Sequence, residues 1–240
     1  MFGKLVVVQF MFGVSSLRGF IDMFRKTVVG SFLYVKSYKE ALFRATIIPI
    51  TISLILEFAF SYINNQPLHY LNNVFLSVLY AIVAINVHKI VLDGVNSVPK
   101  WGRFKFGKVE LWFIAHYICL SAAFIAIAFM ASFLGLAVIL IIVVFGVIAC
   151  RLSLVFPAIA IGKGVSFPYA WHLSSEKTLY MFGVVAIFPI VLGLVLLPLQ
   201  TVGVPQVVTS ILSYLVTIIT VTSLSLAYKL LTEGEISPKN

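Results

Sequence analysis

Between Leu111 and Cys150 the chain runs for 40 residues without an Asp, Glu, Lys or Arg. As one helix this stretch would be about 60 Å long, roughly twice the ~30 Å hydrocarbon core of a bilayer. It must therefore cross a membrane twice, turning where the small residues Ser132 and Gly135 tolerate the backbone of a short exposed connection. The same reasoning divides the 50 uncharged residues from Leu179 to Tyr228 at Pro198 to Gln206, PLQTVGVPQ. Two earlier spans, about 45 to 63 and 72 to 92, flank INNQPLHYLNN. The count is six. Composition agrees: 61% of residues are hydrophobic, 10% are charged, and the mean hydropathy is +1.10, far outside the range of soluble domains. A β-barrel would alternate apolar and polar residues, whereas these runs are apolar all round, so the expected fold is all-α.

Charge is sorted to one side of that plan. With six spans the chain has four segments on one side of the membrane and three on the other, and all 17 Lys and Arg fall in the first set. The positive-inside rule then places both termini in the cytoplasm. Trp101, Trp112 and Trp171 fall on the same basic side, at the headgroup level that indole rings prefer. Arg151 interrupts the apolar run GVIACRLSLVFPAIAIG. If span four ends near Cys150, Arg151 marks a lipid boundary and snorkels to headgroups or a partner. The following LSLVFPAIAIG is too short to cross and contains Pro157, so it is expected to lie along the interface.

Residues 17 to 44 place Leu17, Phe20, Ile21, Phe24, Val28 and Phe32 on one helical face, with Arg18, Arg25 and Lys26 on the other. This is the pattern of an amphipathic helix on a membrane surface. Residues 1 to 16, MFGKLVVVQFMFGVSS, have the lysine and short apolar core of a signal peptide but lack an Ala-x-Ala type cleavage site, so they are expected to be retained. The organisation is then a 1–44 cytoplasmic or interfacial segment, a 45–230 domain of six transmembrane helices as three hairpins, and a 231–240 cytoplasmic tail.

INVHKIVLDG, followed by WGRFKFGKVELWF and then by RLSLVFPAIAIGKGVSFPYAWHL, resembles an uncharacterised group of bacterial six-span inner-membrane proteins. That group is loosely similar to the membrane domain attached to some glycerophosphodiester phosphodiesterases. The resemblance covers about residues 35 to 230 and rests on His88, Lys89, Leu92, Gly94, Phe106, Gly107, Glu110, Arg151, Ser153, Pro157, Ala158 and Trp171. Such proteins usually carry an acid after the glycine that ends the first motif; this chain has Asp93 before Gly94 and Val95 after it. The resemblance implies the topology and a bacterial inner membrane, and no established activity.

Few residues invite chemistry. Glu57 is the only acid in the interior of a span, a costly place for a charge. Ser53 and Ser61 extend its polar face, and span six offers Ser210, Ser213, Thr217 and Thr220, with Ser213 near the same depth. Glu57 either fastens span one to span six as a hydrogen-bonded group or serves a proton or cation path. His88 and His116 approach from spans two and three, which raises a bis-histidine haem, but they lack a ligand spacing and read as structural, so no cofactor or metal is expected. His69 and His172 lie in loops on opposite sides. Cys119 and Cys150 read as reduced, buried small residues. Ser174 to Lys177 matches S-x-x-K without the companion motifs of acylating serine enzymes; Ser174 and Ser175 read as N-caps of span five. No phosphate loop, H-E-x-x-H pattern or carboxylate pair is present.

The expected function is therefore non-enzymatic: an accessory, assembly or structural subunit that binds anionic phospholipids and a membrane-protein partner or second copy. Arg151, Lys89, Arg103 and Lys105 are the expected lipid or partner anchors, flanked by Trp101 and Trp171. Nucleic acid is not an expected partner, because the basic residues hug the membrane. The alternative is a small transporter or lipid-handling protein with Glu57 in its path.

Overall fold

The structure, a computed structural model, describes residues 17–63, 65–104, 106–131 and 137–233. The expected turn at Ser132 to Gly135, residues 1 to 16 and Lys105 lie outside them. The described residues form helices and turns with no strand. In chain order these are α1 (Leu17–Ser37), α2 (Lys39–Ser61), α3 (Gln66–Asp93), a 3-10 turn (Val95–Ser97), α4 (Lys108–Ala131), α5 (Ala137–Leu152), α6 (Val155–Ala160), α7 (Phe167–Leu173), α8 (Thr178–Phe182), a π turn (Gly183–Ile187), α9 (Phe188–Thr201) and α10 (Gln206–Glu233). Six stretches among them are long and apolar enough to cross a membrane: Lys39–Ser61, Gln66–Asp93, Lys108–Met130, Val143–Ala160, Thr178–Leu199 and Gln206–Glu233.

The expected loop INNQPLHYLNN is mostly helix. Asn65 caps α3, its Oδ1 accepting from the Leu68 amide at 3.3 Å, and Pro67 sits in the first turn, where its missing N–H costs nothing. The fifth span contains the π turn, where the Phe188 amide reaches back to the Gly183 carbonyl. Pro189 lies one residue beyond; its ring would clash with the carbonyl four residues earlier in an α-helix, and the wider turn relieves this. Gly183 has a second role. A Cβ there would lie 3.1 Å from the Phe24 ring, so glycine lets α1 pack closely on this span.

α1 packs chiefly along α10. Its inward face carries Thr27 and Ser31, both fully buried, and the Thr27 hydroxyl pairs with that of Tyr180. Tyr34 donates to the Ile90 carbonyl at 2.8 Å, fastening α1 to α3. Burial first, and Tyr38 second, raise the Tyr34 phenol above its ordinary pKa, so its hydroxyl keeps the proton that it donates. The helix is expected on a membrane surface, yet Phe20 and Phe24 pack against the protein core, whereas Ile21 and Phe32 are 52% and 43% exposed. The apolar arc of α1 is thus wider than its contact with the bundle: one edge grips protein and the other is left outside.

The segment after Arg151 corrects an expectation. It does not lie on an outer surface. After a turn at Ser153 and Leu154, all six residues of α6 are buried, packed against α3 and α4. Ala158 and Ala160 are fully covered, because small side chains let this short helix enter between longer ones. The core of the protein gathers here, around α6, the second half of α3, α8 and the second half of α10.

One backbone defect organises this end. Pro49 lies inside α2 and has no amide proton for the Ala45 carbonyl. Asn86 of α3, fully buried, supplies the donor instead, its Nδ2 3.1 Å from that oxygen. Its Oδ1 accepts from the Arg103 amide at 2.9 Å. Gly102 makes the approach possible: it has φ +87°, and a Cβ would stand 2.3 Å from the Ala45 oxygen. Gly102→Ala is therefore expected to destabilise the protein by at least about 2 kcal/mol, from left-handed strain plus a clash that backbone atoms must relieve. A lowered thermal unfolding midpoint in detergent checks this; an unchanged midpoint contradicts the close approach.

Candidate functional site

Of the expected anchors, Arg103, Arg151, Lys89 and Trp171 have partners within the protein. Arg103 places Nε 2.7 Å from Glu110 Oε1, and the other carboxylate oxygen accepts from the Gly107 amide at 2.9 Å. Glu110 is 3% exposed and the Arg103 side chain 29%, so a buried carboxylate meets a half-buried guanidinium, and the pair closes the 103–110 turn onto the start of α4. Arg151 lies within the fourth candidate span. Its guanidinium stacks 3.5 Å over the Trp171 ring, its Nη2 donates to the Trp171 carbonyl at 2.8 Å, and its Nε donates to Ser174 Oγ at 3.1 Å. Arg151 thus binds α7, and its charge is met by a π face and two oxygens. Lys89 is 3.6 Å from Asp93, with its side chain only 13% exposed. Trp101 is exposed, and Trp112 donates its indole N–H to the Val165 carbonyl at 2.9 Å.

Ser174 is not an N-cap. It follows α7, donates to the Ala170 carbonyl at 2.8 Å and accepts from Arg151; α8 starts after Lys177 with no side-chain cap. A further lock joins Lys163, Tyr169 and Tyr228: Lys163 Nζ donates to the Tyr228 hydroxyl at 3.0 Å, and the Tyr169 hydroxyl is also 3.0 Å from it. Burial first, then Tyr228, push the Tyr169 phenol up to about 12.

Glu57 is hydrogen-bonded to the last span. Ser210 Oγ donates to its Oε2 at 2.9 Å and the Tyr214 hydroxyl to its Oε1 at 3.2 Å. Ser213, the residue expected near this depth, is exposed and donates to its own helix at Thr209. Ser210 and Tyr214 are four residues apart and share a face, whereas Ser213 is rotated by about 100° from Tyr214. Tyr214 stacks on Tyr80 of α3 with centroids 5.1 Å apart. Tyr80 lines a cavity of about 640 Å³ between α3, α4, α5 and α10, whose walls also carry His88, Tyr117 and Ser153.

The two histidines have separate surroundings. His88 Nδ1 is 2.7 Å from Ser225 Oγ, a hydroxyl that also lies 2.9 Å from the Val221 carbonyl. The His88 ring lines the cavity. His116 Nδ1 is 2.9 Å from the Trp112 carbonyl, with its ring edge-on to Trp112 and Phe167. Among the described residues no group of three or more His, Cys, Asp or Glu is placed to hold a metal ion. Cys119 is exposed and Cys150 buried, which corrects the reading of Cys119 as buried.

Sequence reasoning passed over Asn86, Thr27 and Tyr214. Each carried a signal: an amide inside an apolar run, and hydroxyls at helical spacing, must find partners when no water is near.

Arg103→Met leaves the Glu110 carboxylate buried without its cation and is expected to cost about 3–5 kcal/mol, whereas Arg103→Met with Glu110→Met recovers much of that loss. A double-mutant cycle on thermal unfolding in detergent checks this, and additive losses contradict the pairing. Compared with protein families, curated proteins and solved structures, the chain finds no match.

Proposed function

We propose that the chain is a non-enzymatic, multi-pass protein of a bacterial inner membrane, with its six spans arranged as three hairpins and both termini in the cytoplasm. It acts as an accessory, assembly or structural subunit, holding anionic phospholipid at its basic end and a membrane partner or second copy along its outer helix faces. The carrying observation is the asymmetry of packing. In the apolar stretches that qualify the helices as spans, 44% of the second and 50% of the fourth are buried, against 11% of the third and 17% of the fifth. Phe124, Ile125 and Phe129 on α4 and Ile190, Leu194 and Val195 on α9 are all more than half exposed. Bare apolar helix faces of this extent suit lipid or another set of spans.

The Glu57 cluster favours a second reading, transport or lipid handling, because its carboxylate connects through Tyr214 and Tyr80 to the cavity between the spans. Purification from native membranes in a mild detergent separates the two. Stoichiometric recovery with a larger complex supports the subunit, and recovery as a lone homo-oligomer with Glu57-dependent flux supports transport. Glu57→Gln keeps one carbonyl acceptor for Ser210 or Tyr214 and is expected to change stability by no more than about 1 kcal/mol. Loss of activity in a normally folded Glu57→Gln protein overturns the structural role of this carboxylate.

A further inference from the structure

A groove of about 590 Å³ runs along α2 and α10, walled by Leu42, Phe43, Ile47, Leu54, Leu215 and Ile218. Thr46, also on its wall, donates its hydroxyl to the Leu42 carbonyl and so offers the groove no polar demand. From Lys39 to Leu54 it follows α2 for about 22 Å, more than the ~15 Å hydrocarbon depth of one leaflet. At its basic end it adjoins a polar pocket of about 490 Å³ bounded by Lys39, Glu40, Arg44, Asn96 and Lys100; Lys39 and Glu40 belong to both. Glu40 lies 3.7 Å from Arg44 and compensates that charge. Lys39 and Lys100 are exposed and make no ion pair with a described residue, unlike Lys89 and Arg103. The two hollows together have the layout of a phospholipid: an apolar track one leaflet deep, ending in two uncompensated cations.

We propose that this junction is a specific site for an anionic phospholipid, its phosphate group held between Lys39 and Lys100 and one acyl chain laid in the α2–α10 groove. The inference rests on the reading that the basic end faces anionic lipid, and it assigns that affinity to one place. Charge complementarity selects the occupant: a partner helix would fill the groove without using the paired lysines, and a zwitterionic lipid brings its own cation beside the phosphate, leaving the two lysine charges uncompensated.

Native mass spectrometry of the full chain in mild detergent, incubated with phosphatidylglycerol or with phosphatidylcholine of the same acyl chains, tests the site. The unaltered protein is expected to retain one phosphatidylglycerol per chain in preference to phosphatidylcholine. Lys39→Gln with Lys100→Gln should lower that retention about tenfold or more, and Leu54→Trp with Leu215→Trp, which fills the groove at constant charge, should lower retention of both lipids. Lys26→Gln with Lys177→Gln removes the same charge away from the pocket and should leave retention unchanged; unchanged thermal midpoints show that all variants fold. Equal losses from the two lysine pairs, or no loss from Lys39→Gln with Lys100→Gln, overturn the site while leaving diffuse binding at the basic end intact. No preference for phosphatidylglycerol in the unaltered protein overturns the site and the broader lipid reading together. Displacement of a second copy by the groove-filling variant, with lipid retention unchanged, overturns the site in favour of a helix contact.

Discussion

A backbone carbonyl in hydrocarbon has no water to turn to, and the oxygen of Ala45 is deprived of its helical partner by Pro49. Much of the arrangement at the basic end follows from satisfying it. Asn86 must be buried at hydrogen-bond distance, which fixes the rotation of α3 against α2. The residue that comes nearest to the oxygen must lack a side chain, which is Gly102. The amide that follows, on Arg103, then meets the other end of the Asn86 side chain. Once the backbone of Arg103 is held there, its side chain falls beside Glu110, and the 103–110 turn is tied to the start of α4. A proline that would weaken an isolated helix thus sets the relation of α2, α3 and the turn into α4.

The same demand for internal satisfaction sorts the cations into two kinds. Arg103 and Arg151 are spent on structure: one against a buried carboxylate, the other on an indole face, a carbonyl and a serine hydroxyl. Lys89 sits beside Asp93 with little of its side chain exposed. For Arg103 and Lys89 the neighbouring carboxylate largely cancels the field that would attract a headgroup, while Arg151 keeps its charge but commits its donors to Trp171 and Ser174. Counting basic residues on one side therefore overstates the surface available to lipid, and of the cations that make no ion pair with a described residue, Lys39 and Lys100 line one shared hollow.

The number of spans was legible because bilayer thickness converts an uncharged run directly into crossings, and the link between Glu57 and the last span was legible because a carboxylate at that position needs donors. Of the donors, Ser210 stood in the polar stripe read from the last span, whereas Tyr214 did not and Ser213 was placed nearer: counting along a helix gives depth, while partner choice depends on rotation about the axis. The fate of residues 155 to 160 was hidden for a different reason. A short apolar stretch with a proline reads equally as a surface segment or as a plug, and only the space left between α3 and α4 decides. The pair of Arg103 with Glu110 depends on a left-handed glycine in an irregular turn, which hydrophobic periodicity does not encode.

Packing at one end and bareness at the other have a common cause. Polar side chains within the helices, such as Asn86, His88, Ser225 and Thr27, bond to neighbouring helices only where those helices approach closely, and each bond formed excludes lipid from the contact. At the opposite ends of α4 and α9 the surfaces are Phe, Ile, Leu and Val, and lipid tails solvate these as well as another helix would, so nothing drives them together. Such a bundle is tied most densely at the basic end, with the Glu57 contact to Ser210 and Tyr214 as a further link between α2 and α10. Its bare helix ends stay open to lipid or a partner, while the tie fixes the start of α2, from which the paired lysines and the groove below them take their positions.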